Sequence, residues 1–150
     1  MSLQDWLSSR WLTEHETGRG EITDLLGVID RDLGDCRTPG LSSDWKLTIA
    51  YNAVVQAATA ALAAAGYRAG REAHHFRVIQ SLAYTIGIDS GLIAQLDAFR
   101  KKRNISDYER AGAVSEAEAR EMVSLAERLR DELVKWLAGN HSELLPDLSC

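Results

Sequence analysis

The chain is poor in the residues that staple, kink or ligate. Its 150 residues include only two cysteines and two prolines. Cys36 lies near a turn and Cys150 at the last position, with no Cys-x-x-Cys spacing, so neither a zinc site nor a dithiol redox site is expected. A reduced, cytoplasmic setting is the simplest expectation. Runs of alternating β-branched residues are missing too, and nothing in the pattern competes with helix. The formal charge of -5 argues against a generally basic nucleic-acid coat, because phosphate neutralisation needs clustered Lys and Arg. Near the N-terminus, Leu3, Trp6, Leu7 and Trp11 are interrupted by Asp5 and Arg10, a pattern that fits neither a signal peptide nor a membrane span. A soluble protein without membrane contact is expected.

The sequence signatures of several catalytic and cofactor sites are also missing. There is no GxxxxGK phosphate loop, no GxGxxG after a strand, no HExxH, no GxSxG and no pair of Glu-x-x-His motifs for a carboxylate-bridged metal centre. Neither a metal nor a cofactor is therefore expected. His74 and His75 are adjacent, so they cannot share a helical face as ligands three or four apart would. They read as structural or surface residues.

What is present is helical periodicity. With 45% hydrophobic residues, the chain has the length of one domain, and such a domain buries about 68–70% of its unfolded surface. Ser2 with Asp5 forms a short capping box ahead of Leu3, Trp6, Leu7 and Trp11, an amphipathic first helix ending between Thr13 and Gly20. Ile22, Leu25, Leu26, Ile29 and Leu33 trace a second helix, with Asp24, Asp30, Arg31 and Asp32 outside its apolar stripe and Gly34 as its stop. Pro39 and Gly40 mark a loop.

Ser42 or Ser43 then caps a long Ala-rich helix with Leu47, Tyr51, Val54, Val55, Ala58 and Leu62 in phase, stopped by Gly66. After a short connection, His75, Phe76, Ile79, Leu82, Ala83 and Ile86 give a fourth stripe ending at Gly87. Asp89 and Ser90 cap a fifth helix running from Gly91 to about Ala111, with Gly112 as its stop. Ser115 with Glu118 forms a capping box for the last, whose stripe is Ala119, Met122, Ala126, Leu129, Leu133, Trp136 and Leu137. The spacing predicts an all-α, up-and-down antiparallel bundle of four main helices with shorter N-terminal helices. One domain over 1–138 and a loosely packed tail over 139–150 are expected.

One stripe breaks the pattern. At about 100° per residue, Leu92, Leu96 and Phe99 share a face, and the next positions on it are Arg100, Arg103 and Asp107. Charged groups are rarely buried unless paired or functional. Arg100, Arg103, Asn104, Asp107 and Tyr108 fall on one broad face and can converge on an anion or a partner. A plain Arg103–Asp107 ion pair accounts for those two residues but not for their place on the core stripe. Two basic clusters accompany this face, Arg100 to Arg103 and the looser Arg68, Arg71 and Arg77, the second read as solvated surface.

The segment AYNAVVQAATAALAAAGYRAGREAHHFRVIQSL at 50–82, followed by LDAFRKKRNISDYE at 96–109, resembles the HEPN family (higher eukaryotes and prokaryotes nucleotide-binding domain). The resemblance spans about residues 20–138. It implies a helical bundle that dimerises through the fifth helix, a toxin-antitoxin or defence setting beside a minimal nucleotidyltransferase partner, and, in active members, metal-independent RNase chemistry. The family's signature is an Arg followed by a polar residue and, several positions on, a His. Arg103 and Asn104 match the first two, Arg100 matches an upstream anion ligand and Tyr108 a frequent aromatic, but no His follows before His141. Asp107 or its neighbours occupy the region where the His would lie. An ordinary carboxylate with a pKa of about 3.9 is ionised at neutral pH and can only accept a proton. The expectation is therefore a HEPN-like homodimeric module, weak or inactive as a nuclease, that binds a nucleotide, RNA or a protein through Arg100, Arg103, Asn104, Asp107 and Tyr108. The alternative is an RNase toxin using Arg103 with Asp107 or Tyr108.

Overall fold

The computed structural model describes residues 2–108 and 114–145, with the side chains of 104–108 left aside. The fold is all-α. Four long helices, α2 (Arg19–Asp35), α3 (Ser43–Ala64), α5 (Ser90–Tyr108) and α6 (Glu116–Asn140), are joined by two short ones, α1 (Leu3–Ser8) and α4 (His74–Ser81). α3 is the hub, packing against α2, α4, α5 and α6. Its centrality follows from composition: its Ala and Val residues are buried around most of the helix, and small side chains let several neighbours approach at once.

The ends of these helices obey local chemistry. Ser42 accepts a hydrogen bond from the Trp45 amide to start α3, and Gly66, at φ 98°, turns the chain out of it in the left-handed conformation that favours glycine. Ser115 and Glu118 form a full capping box on α6. Asp89 accepts from the Leu92 amide at 3.2 Å and starts α5. The core stripes of α5 and α6, including Leu96, Phe99, Met122, Leu129, Leu133 and Leu137, meet in one cluster with Ile22, Ile29, Leu47 and Val54. Leu144, in a 3₁₀ turn over Ser142–Leu144, belongs to the same cluster.

Several local features depart from the expected pattern. α1 ends at Ser8, and Arg10 takes a positive φ of 66°, so Trp11 folds back edge-on to Trp6 at 5.6 Å instead of continuing the helix. β1 (Leu12–Glu14) then pairs antiparallel with β2 (Tyr67–Ala69), placing Thr13 opposite Arg68. These strands hold three residues each, too few for a period-two signal, and their pairing spans most of α2 and α3. Helix α2 runs through Gly34 to Asp35. Asp32, expected outside its stripe, is only 5% exposed. α4 stops at Ser81, and the chain turns back through Gly87, whose amide donates to the Leu82 carbonyl. His75, Phe76 and Ala83, expected in its apolar stripe, are exposed, whereas Val78 is buried. α3 is long and apolar enough to cross a membrane, but 67% of that window is buried inside the protein.

Candidate functional site

The polar end of α5 faces a cleft made by α3 and the start of α4. Below it, Leu96 and Phe99 are buried and anchor the helix, so the following turns on the same side project Arg100 and Arg103 at the edge of the core. Both arginines are half-buried. Arg100 Nε donates to Asp97 Oδ1 at 2.7 Å, and its guanidinium lies 5.5 Å from the centroid of the Phe76 ring. The Arg103 guanidinium lies 5.7 Å from the ring centroid of Tyr51. Phe76 is 41% exposed and Tyr51 only 2%, so the first aromatic supports a rim and the second a floor. A guanidinium resting on an aromatic face has its N–H donors in the ring-parallel plane, the edge by which an arginine meets a carboxylate or a phosphate.

Across from these arginines stands His75. It lines a recess of about 210 Å³ with Arg103, Tyr51, Asn52, Trp45 and Asp32. It also lines an open depression with Arg100, Arg71, His74 and Phe76. Its ring centroid is 5.7 Å from that of Tyr51. His75 is exposed at its outer edge, but partial desolvation of the ring first, and then the charges of Arg103, His74 and Arg100, hold its imidazole below its ordinary pKa. At neutral pH it is uncharged, able to accept one proton and to donate one hydrogen bond. His74 instead points a ring nitrogen, Nδ1, at the Gly70 carbonyl, 3.1 Å away.

Two further groups complete the floor. The Tyr51 hydroxyl is buried and has no hydrogen-bond partner among the described residues. Burial pushes its pKa up to about 12, against the pull of Arg100 and Arg103, so it stays a protonated donor. Asn52 Nδ2 donates to Asp32 Oδ2 at 2.8 Å, while Arg31 reaches Asp32 Oδ1 at 3.2 Å. The buried carboxylate therefore fixes the Asn52 carboxamide and leaves its oxygen as an acceptor toward the recess.

The basic run on α5 is divided by the fold. Lys102 pairs with Glu118 of α6 at 3.1 Å, and exposed Lys101 lies 3.7 Å from Asp97. Only Arg100 and Arg103 serve the cleft. In the second cluster, Arg71 joins Arg100 in the open depression, and Arg77 lies 4.4 Å from the Trp11 ring centroid. The side chains of Asn104, Asp107 and Tyr108, the other members of the expected face, lie outside the described residues, as do Gly112 and Cys150. Among the described residues no group of three His, Cys, Asp or Glu side chains is placed to hold a metal ion.

Sequence reasoning missed His75, Tyr51, Asn52 and Asp32. His75 was set aside for its bad spacing to His74, although its partners are on other helices. A signal for the floor existed in α3, where Thr48, Asn52, Gln56 and Thr59 form a polar line at steps of four, four and three in an otherwise apolar helix. Comparison with protein-family models, with curated proteins and with solved structures found no match.

Proposed function

We propose that this chain is a HEPN-like helical module that binds a phosphate-bearing ligand, a nucleotide or an RNA end, in the cleft between α3, α4 and α5. One observation carries the reading: Arg103, Tyr51 and His75 line one recess, with Arg100 beside it. In a chain of net charge -5, the recess holds Arg103 together with Asp32, and the adjoining depression holds Arg71 and Arg100 beside His74 and His75. A phosphate there would accept hydrogen bonds from the two guanidinium edges and from the unpartnered Tyr51 hydroxyl. Arginine suits this task because its planar fork can hold two phosphate oxygens at once.

The resemblance also supports a homodimer through α5 and a partnership with a minimal nucleotidyltransferase in a toxin-antitoxin or defence setting. In a two-fold interface the same patch meets itself, so Asp107 of one protomer would face the basic end of the partner's α5. Asp107→Arg should then shift the species measured by light scattering from dimer to monomer. Binding itself is tested by titrating 5′-UMP and inorganic phosphate into the purified protein. Saturable, salt-sensitive binding that Arg103→Ala removes supports the reading, and binding unaffected by that change contradicts it.

A second reading, metal-independent RNA cleavage, is favoured by the neutral imidazole of His75 beside Arg103. As a base it could take the proton of a 2′-hydroxyl while that oxygen attacks phosphorus and the P–O5′ bond breaks, giving a 2′,3′-cyclic phosphate and a 5′-oxygen that takes its proton from solvent water. Arg103 would stabilise the charge on the phosphorane. Cleavage of single-stranded RNA that is lost in both Arg103→Ala and His75→Ala favours this reading over binding alone.

A further inference from the structure

The polar line on α3 does not stop at the arginine recess. Thr48 and Asn52 line that recess, whereas Asn52, Gln56 and Thr59 line a second cavity of about 360 Å³ between α2, α3 and α4. Asn52 and His75 are common to both, so the two cavities share a wall. From Asn52 to Gln56 the helix rises roughly 6 Å, a distance one nucleotide bridges between its phosphate and its base.

The chemistry changes along this path. The arginine end carries Arg103 and, beside it, Arg100, with Asp32 turned to Arg31 and Asn52 and Asp97 turned to Arg100. The second cavity has apolar walls from Leu25, Val55, Leu62 and Val78, crossed by the polar line of α3. Gln56 offers a carboxamide with both donor and acceptor, while the Thr59 hydroxyl donates to the Val55 carbonyl at 2.7 Å and keeps only acceptor capacity. At the far side, Glu21 is held by His15 at 2.8 Å and by Thr17 at 2.7 Å, with Arg68 nearby. Glu21 offsets Arg68 there, and the carboxylate disfavours a second phosphate at this end. A flat, largely apolar group with hydrogen-bonding edges matches these walls, and the volume lies in the range of about 300–1,000 Å³ common to small-molecule sites.

We propose that the cavity lined by Asn52, Gln56 and Thr59 receives the base of a nucleotide whose phosphate lies at Arg100 and Arg103, so that the two cavities form one bipartite nucleotide site. This rests on the phosphate-binding reading and adds to it the place of the base. The nucleotide is either free or the terminal unit of an RNA.

The test is calorimetric titration of the full chain with inorganic phosphate, ribose 5-phosphate and the four 5′-nucleoside monophosphates. At least one monophosphate should bind about tenfold more tightly than ribose 5-phosphate, the gain of one additional good hydrogen bond or more. Gln56→Leu should erase that advantage and leave ribose 5-phosphate unaffected; Thr59→Val provides a second, milder change should the first fail to fold. Equal binding of ribose 5-phosphate and all four monophosphates overturns the base site and leaves the phosphate reading standing. So does a loss of base preference confined to Trp45→Ala, which would put the base on the open rim, where Trp45 is 61% exposed. If no phosphate compound binds, both readings fall. A 5′-phosphorylated trinucleotide that binds more tightly than its monophosphate supports the bipartite site with an RNA end as its source, and one that binds no more tightly supports it with a free nucleotide.

Discussion

The Arg103 guanidinium lies 5.7 Å from the ring centroid of Tyr51, a residue on a different helix and almost wholly buried. That contact couples the charged end of α5 to the central helix α3 and fixes the arginine at the mouth of a recess. Replacing Arg103 by Ala removes the cation-π contact with Tyr51, about 0.5–1 kcal/mol at a half-exposed site, together with the residue's other contacts. For a chain of this size that lowers the melting temperature by roughly 2–4 °C per kcal/mol. Affinity for 5′-UMP should fall much further, roughly tenfold to a hundredfold, because a charge-assisted hydrogen bond contributes about 1.5–3 kcal/mol. Calorimetry and thermal melting on the same variant separate the two effects.

Tyr51→Phe should divide function from stability in a different way. The hydroxyl is buried with no partner among the described residues, so its removal takes away a desolvated donor and costs the fold nothing. Denaturant unfolding should give a free energy unchanged or raised by up to about 1 kcal/mol. Phosphate affinity should nevertheless drop several-fold, since a ligand oxygen loses the donor. A clear loss of stability would show that the hydroxyl already has a partner.

Protonation of His75 gives the pH dependence a definite sign. Partial desolvation and neighbouring cations hold its folded pKa below the ordinary value of 6.5. Between that depressed value and 6.5 the unfolded chain binds more protons than the folded one, so stability rises with pH across this window and its contribution is flat above it. Urea unfolding from pH 5 to 7.5 should show this slope, and His75→Gln should reduce it. Ligand binding runs the other way: a bound phosphate favours the imidazolium, so affinity should strengthen as pH falls below 7.

Asp32 is a structural support for the site floor. Asp32→Ala leaves the Asn52 carboxamide without its acceptor at 2.8 Å and should destabilise the protein by about 1–3 kcal/mol. Asp32→Asn keeps an acceptor oxygen and should cost less. Chemical denaturation of the two variants side by side measures the difference.

What was legible in the sequence was local or strictly periodic. The stripes of α3 and α6, the serine caps at Ser42 and Ser115 and the stop at Gly66 all depend on neighbours within a turn or two, and the fold keeps them. The three-residue strands were not legible, because Leu12–Glu14 and Tyr67–Ala69 pair over a long separation and are too short to alternate. The stripe drawn through Ile86 is not one helix, because α4 stops at Ser81, and Phe76 within α4 lies at the rim of the cleft instead of in the core. In the candidate cleft, Arg100 and Arg103 stand out in the sequence by their conflict with the apolar face of α5. His75, Tyr51 and Asn52 do not, since each looks ordinary on its own helix and gains meaning only where α3, α4 and α5 meet. Asp32 was hidden by the same cause: its charge suggested solvent, while Asn52 and Arg31 satisfy it in place.

The most direct test of phosphate binding in the α3–α4–α5 cleft is the titration of the His75 imidazole by NMR, with and without saturating 5′-UMP. A phosphate held by Arg100 and Arg103 beside the ring should raise the pKa of His75 from its depressed value toward or above 6.5, and Arg103→Ala should remove that ligand-induced rise. A His75 titration curve that is identical with and without the nucleotide would contradict phosphate binding in this cleft.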